Sequence, residues 1–189
     1  LEVLNYPHPS LRFKTHQLLR VDDHIRNVAA KMAETMVSEQ GAGLSANQVG
    51  LPFSMVVVKI DKDNEAAFIN PVIKPFGKIE SKLEGCLSLL DCEPIRVKRH
   101  TKVRLTAWDL YGNNLDEVFT GPMARVLQHE CDHLNAILIS DKADATQARQ
   151  IAPYLRECEA AWNKYPQLIH AEEFNSLLEA YCGVKVPVA

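Results

Sequence analysis

From Val21 to Gly41 the apolar residues Ile25, Val28, Ala29, Met32 and Met36 recur every three or four positions, with polar and charged residues between them. That period predicts a helix with one buried face. Asp22 or Asp23 suits its N-cap, and Gly41 its stop. After the Gly-punctuated loop "GAGLSANQVGLP" (41–52) the period shortens to two. "SMVVVKI" (54–60), "AAFINPVI" (66–73) and "KVRLTAWDL" (102–110) read as strands. "YGNN" reads as a turn, and "LDEVFT" (115–120) as the returning arm of a hairpin. Pro71 inside the second strand marks an edge or a bulge.

A helical period returns after Thr120. Pro122 fits a first turn, where its missing N–H costs nothing. Met123, Val126, Leu127, Leu134, Ile137 and Leu138 keep one apolar side, so the helix is expected to be buried along most of its length. Glu130 and His133 fall on or beside that stripe, and ionisable groups in a dry place need a reason. Ile151, Leu155, Cys158 and Trp162 predict another helix, with Pro153 as a break or a start. Phe174, Leu177, Leu178 and Tyr181 predict a third, ahead of the tail "CGVKVPVA". Residues 164–171 read as a linker.

Composition narrows the class. A chain of 189 residues, 47% hydrophobic, has enough apolar material for one core and one domain. The net charge of -3 argues against a nucleic-acid binder, and no direct nucleic-acid binding is expected. The local run Arg96, Lys98, Arg99, Lys102 and Arg104 alternates like a strand and reads as one solvated face. Five cysteines, an odd number at irregular spacing, argue against a disulfide framework and for a reducing compartment. No apolar run approaches a membrane span, and the first residues show neither a signal nor a transit pattern. A cytoplasmic location is expected, or an organellar one if a transit segment was removed.

The chemistry concentrates in "QHECDH" (128–133). On a helix, positions i and i+4 share a face, so His129 and His133 reach one cation while Glu130 stands beside it. This is the H-E-x-x-H arrangement of two imidazole ligands and a carboxylate base. The third ligand decides the reaction class. A metzincin would place a histidine at 139, which is Ile139. A gluzincin-like peptidase would use Glu157 or Glu159, which read better as solvated charge. Cys86 in "LEGCLSLL" would complete a Cys/His₂ set with an open fourth position, a catalytic layout. Spacing alone does not choose among the five cysteines; Cys92, Cys131, Cys158 and Cys182 read as small buried hydrophobes. The loop "GAGLSANQVG" lacks the residues of a phosphate cradle. Its glycines permit close backbone approach, and Gln48 offers an amide donor for a developing oxyanion.

In this order, "GAGLSANQVG", "EGCLS" and "QHECDH" resemble the three motifs of the peptide deformylases. "VLNYPHPSLR" resembles that family's N-terminal segment. The likeness runs from about Leu4 to Asp141. It implies an α+β fold, with small antiparallel sheets packed around a central metal-binding helix; the helical C-terminal extension expected from the periodicity has no clear counterpart in the family core. The expected division is a catalytic domain over 1–163 and an extension over 164–189.

The resemblance also implies site roles. Cys86, His129 and His133 would hold one divalent metal, Fe(II) by family habit, with zinc, nickel or cobalt as alternatives. Glu130 would be the general acid/base. Gln48 and the Leu87 N–H would polarise the formyl oxygen. Backbone groups of Ala42, Gly43 and Gly85 would pair with the peptide, and its first side chain would sit near Ala42, Arg125, Val126 and His129. The implied reaction removes the formyl group from N-formylmethionyl peptides, nascent chains at the ribosome among them, and releases formate. Three positions depart from the family pattern: Leu90 where proline is usual, Ala136 where glycine is frequent, and Ser45 where alanine is common. The competing readings are a zincin-type metallopeptidase and a non-catalytic module stapled by its metal.

Overall fold

The computed structural model describes residues 1–62, 64–164 and 171–184. Helix α1 spans Asp23–Ser38, and the Asp22 carboxylate accepts the Ile25 N–H at 3.1 Å as its N-cap. The helix stops one position earlier than expected from Gly41. Gln40 turns left-handed (φ 57), and the N–H groups of Gly41 and Gln40 donate to the carbonyls of Met36 (2.8 Å) and Val37 (3.0 Å). Gly41 therefore follows the stop and does not make it.

Five antiparallel strands follow: β1 (Gly43–Ser45), β2 (Met55–Lys59), β3 (Glu65–Glu84), β4 (Ile95–Trp108) and β5 (Asn114–Thr120). They form one continuous sheet in sequence order, not several small ones. The start of β3 pairs with β2, and from Ile69 onward it pairs with β4. β1 lies inside the loop read as irregular, because three residues are too few to show a period. β3 and β4 run well beyond the expected strands. Residues 74–83 are exposed on both faces, so no alternation of apolar and polar positions announces them. At Pro71 the ladder slips between Ile69 and Val72, with Asn70 at φ 51, which is the bulge a donor-less residue requires.

β2 is buried on both sides, which explains its unbroken apolar run. Met55 and Val57 meet Ile25, Met32 and Met36 of α1. Val56 and Val58 meet Ala124, Leu127 and Leu134 of α2 (Gly121–Leu134) on the opposite face. Pro122 opens α2 as expected. The helix ends at Leu134, short of Ile137 and Leu138, because Ala136 is left-handed (φ 61). Leu138 still reaches the core from the loop and is fully buried. α1 covers the β1–β2 half of its face together with Ala67 and Ile69 of β3 and the edge of Trp108 of β4; beyond them the same face is exposed at Val72, Lys74 and Phe76 of β3 and Lys102 and Arg104 of β4.

α3 (Ala145–Lys164) lays Ile151 against Leu89, Ile95 and Val97. It continues through Pro153, which the sequence marked as a break or a start. Pro153 and Arg149, whose carbonyl it leaves without a donor, are both exposed, so that group lies on the solvent side of the helix. α4 (Ala171–Leu177) leads into a wide turn at Leu178–Cys182. Phe174 meets Phe13 edge-on at 4.8 Å, and Tyr181 stacks on His24 at 5.3 Å. The C-terminal segment is thereby tied to the N-terminal one. Most of the expected linker (165–170) and the end of the tail (185–189) lie outside the described residues. Among the described residues no helix is long and apolar enough to cross a membrane.

Candidate active site

The loop after β1 fixes Gln48. Ala46–Val49 form a short 3₁₀ turn, and Gly50 (φ 80) closes it. The Ser45 N–H and hydroxyl both donate to Gln48 Oε1, at 2.9 and 2.8 Å. With the acceptor end of its amide so engaged, Gln48 must present its donor end. Nε2 lies 3.2 Å from Ser88 Oγ and 3.9 Å from Cys86 Sγ. Asn47 donates to the His133 carbonyl at 2.6 Å and ties this loop to the end of α2.

The three expected ligand residues come from different elements and meet. Cys86 follows the end of β3; His129 and His133 are one turn apart on α2. One donor atom of each lies within 4.8 Å of the others. Cys86 Sγ is 3.2 Å from His133 Nε2, which is 3.2 Å from His129 Nε2. Two nitrogens bound tetrahedrally at ~2.05 Å stand about 3.3 Å apart, so the spacing fits one shared cation. Burial, then the neighbouring His129 charge, holds His133 well below the usual imidazole range, which favours the neutral ligating form. A thiolate with two imidazoles suits a borderline transition-metal ion, and the donor set fits.

Glu130 is buried beneath β1. A Cβ on Gly43 would stand 2.6 Å from its Oε1, so only glycine admits the carboxylate there. Its Oε2 is buried without a hydrogen-bond partner. Burial pushes the carboxyl up to about 7, against the opposing pull of the His129 charge and of Ser45. A carboxylate near neutrality beside a metal corner can accept a proton and return it.

A second layer escaped the sequence reading. Glu84 Oε2 lies 3.1 Å from His129 Nδ1 and 2.8 Å from Arg99 Nη2. Arg99, assigned to a solvated face, is 4% exposed and also pairs with Asp132. Pleating turns it inward with Ile95 and Val97, while Arg96 and Lys98 point out. Arg125 bridges to Glu84 and donates to the carbonyls of Val97 (3.0 Å) and Glu80 (2.8 Å). Burial opposes ionisation of Glu84, but hydrogen bonds from His129 and Arg99 and the Arg99 charge hold it down at about 2. The anion fixes the His129 ring through Nδ1 and leaves Nε2 for the cation. The available signal was the alternation itself: an arginine in register with Ile95 and Val97 needs a buried acid.

A cavity of ≈ 530 Å³ opens over this corner. Ala42, Gly43, Gln48, Gly85, Leu87, Arg125, Val126, His129 and Glu130 all line it. Among the described residues β1 pairs with β2 alone, so its other edge faces the opening. Across from it, the Leu87 N–H makes no backbone hydrogen bond among the described residues. Leu90 is 53% exposed on the rim of the same cavity. Glu157 and Glu159 are outside the metal cluster: both are exposed, and Glu159 accepts from the Tyr6 hydroxyl. Cys131 is buried; Cys92, Cys158 and Cys182 are half-buried, and all are free thiols.

Comparison with known proteins agrees with this arrangement. The sequence model of the polypeptide deformylase family matches residues 1–149. A peptide deformylase of Rhodopirellula baltica is 38% identical over 162 residues, covering 83% of this chain and 80% of its own. One from Pseudomonas aeruginosa is 40% identical over 144 residues, covering 75% and 85%. Among solved structures, a Plasmodium falciparum peptide deformylase superposes with TM-score 0.81 at 30% identity, covering 88% of this chain and 100% of that one. A plant peptide deformylase gives 0.83 at 30% identity, covering 89% and 94%. An α+β fold of this topology, a sequence match over most of its length and a Cys/His₂ corner above a buried glutamate have one common explanation: the chain belongs to the peptide deformylase family.

Proposed function

We propose that this chain removes the formyl group from N-formylmethionyl peptides, nascent chains among them, by metal-dependent amide hydrolysis. The observation that carries the reading is the meeting of Cys86, His129 and His133 in one cavity with Glu130 and the Gln48 amide. The three ligands hold one divalent cation, with Fe(II) first and zinc, nickel or cobalt as substitutes. When bound, it supplies Lewis acidity at the open corner. Glu130 takes a proton from the attacking water and delivers it to the leaving amine. Gln48 Nε2 and the Leu87 N–H donate to the oxygen on which negative charge develops. Glu84 keeps His129 oriented through Nδ1. The edge of β1 at Ala42 and Gly43, with Gly85 opposite, takes the peptide backbone as an added strand. Arg125, held by Glu84, and Val126 flank the first side chain. Residues 1–163 form the catalytic unit in this reading, and the segment after 164 braces its N-terminal end.

Formate release from formyl-Met-Ala by anaerobically prepared, Fe(II)-loaded protein tests the reading. Glu130→Gln is expected to lower turnover by about 10²–10⁴ while the metal content stays at one per chain. Equal turnover in the variant, or no formate from the loaded wild type, would contradict it.

A further inference from the structure

The net charge of -3 is an average over a lopsided surface. On the sheet face that α1 leaves bare, Lys74 of β3 and Arg96, Lys98, Lys102 and Arg104 of β4 point the same way. Lys74 pairs across the ladder with Arg104, and Phe76 with Lys102. All five cations are exposed. Among the described residues of β3–β5, this face carries two carboxylates, Glu65 at the far end of β3 and Asp116, which Arg104 engages. Lys74, Arg96, Lys98 and Lys102 take part in no ion pair among the described residues. Alternate residues of a strand stand about 6.7 Å apart and neighbouring strands about 4.8 Å, so these cations repel one another, with Asp116 answering Arg104 and, more weakly, Lys74. Val72, Phe76, Ile79 and Leu83 of β3 and Val118 of β5 lie among them, 41% to 61% exposed. None of these residues lines the catalytic cavity.

We infer that this face of β3 and β4 docks single-stranded or looped RNA through its phosphates, with Phe76 as a stacking surface for a base. A row of cations along an open strand face matches a polymer of repeated charge, and an aromatic among cations on an open sheet is a sequence-tolerant platform for unpaired bases. A lipid surface fits less well. Its insertion needs a contiguous apolar patch, whereas Phe76 and Leu83 each pair across the ladder with a cation, Lys102 and Arg96. The inference is independent of the catalytic reading, because binding is measured without turnover.

The test is fluorescence anisotropy with a labelled mixed-sequence 20-nucleotide RNA across a salt series. Four unpaired cations on phosphates predict a slope of log K against log salt near −2.8, at about −0.7 per contact. Lys74→Gln/Lys98→Gln/Lys102→Gln should weaken binding at least tenfold and flatten the slope by about 2. Its formate release from free formyl-Met-Ala should stay at the wild-type rate, which also shows that it folds. Wild-type RNA binding with a slope shallower than about −1 overturns the inference, whatever the variant does. So does undiminished binding by an active triple variant. Retention on phosphatidylserine vesicles without RNA binding assigns the face to a membrane and overturns it as well.

Discussion

Arg99 and Lys98 are neighbours on β4 and have opposite fates. The inner face of that strand carries Ile95, Val97, Arg99, Val103 and Leu105; the outer face carries Arg96, Lys98, Lys102 and Arg104. Inside, a guanidinium is kept by Glu84 and Asp132, and through Glu84 it sets the orientation of His129. Outside, the ammonium groups meet only solvent among the described residues. A cation is tolerated in the interior only when every hydrogen-bonding direction is answered, and then it can order a site. On the exterior it contributes little to stability and remains available to a partner.

The largest difference is expected between Arg99→Leu and Lys98→Leu. The first removes the guanidinium between Glu84 and Asp132, leaving Glu84 to Arg125 and His129 and Asp132 to Lys142, and should lower unfolding stability by about 3 kcal/mol, with loss of metal affinity. The second should change stability by no more than about 0.5 kcal/mol. Equal shifts in denaturant midpoint for the two variants would erase the contrast. A smaller effect concerns Glu130 in metal-free protein. Its carboxyl is raised to about 7 from an ordinary 4.5, so the folded state binds the extra proton between those values. Stability is then fully present at low pH and falls as pH rises through about 7. Metal-free Glu130→Gln should therefore melt above wild type at pH 8, with the gap closing by pH 5; a gap that does not change with pH refutes the burial argument. The smallest effect is at Ala136, whose φ of 61 carries a left-handed penalty. Ala136→Gly should raise stability by about 1 kcal/mol without altering turnover, and a loss of stability would show that the turn is not strained.

Much of this fold was legible because burial is one-sided in its helices. α1 and α2 present apolar stripes, and period alone located both. The distal half of β3 was not legible, since residues 74–83 are exposed on both faces and backbone pairing with β4 holds them. Ends set by left-handed residues were misplaced, as at Gln40 and Ala136, because no side-chain chemistry announces a positive φ there. In the site, His129, Glu130 and His133 could be read from helical geometry. Cys86 could not be chosen from spacing among five cysteines; family resemblance named it, and the fold of β3 brings it to the histidines. Glu84 was invisible as a lone acid in a stretch where no strand was read. Ser45 looked like an incidental departure, yet it fixes which end of the Gln48 amide faces the corner.

X-ray absorption at the metal edge of the loaded protein tests the central claim most directly. The account predicts a first shell with one sulfur at ~2.3 Å and two imidazole nitrogens, and loss of the sulfur scatterer in Cys86→Ala. A shell of nitrogen and oxygen alone in the wild type would contradict it.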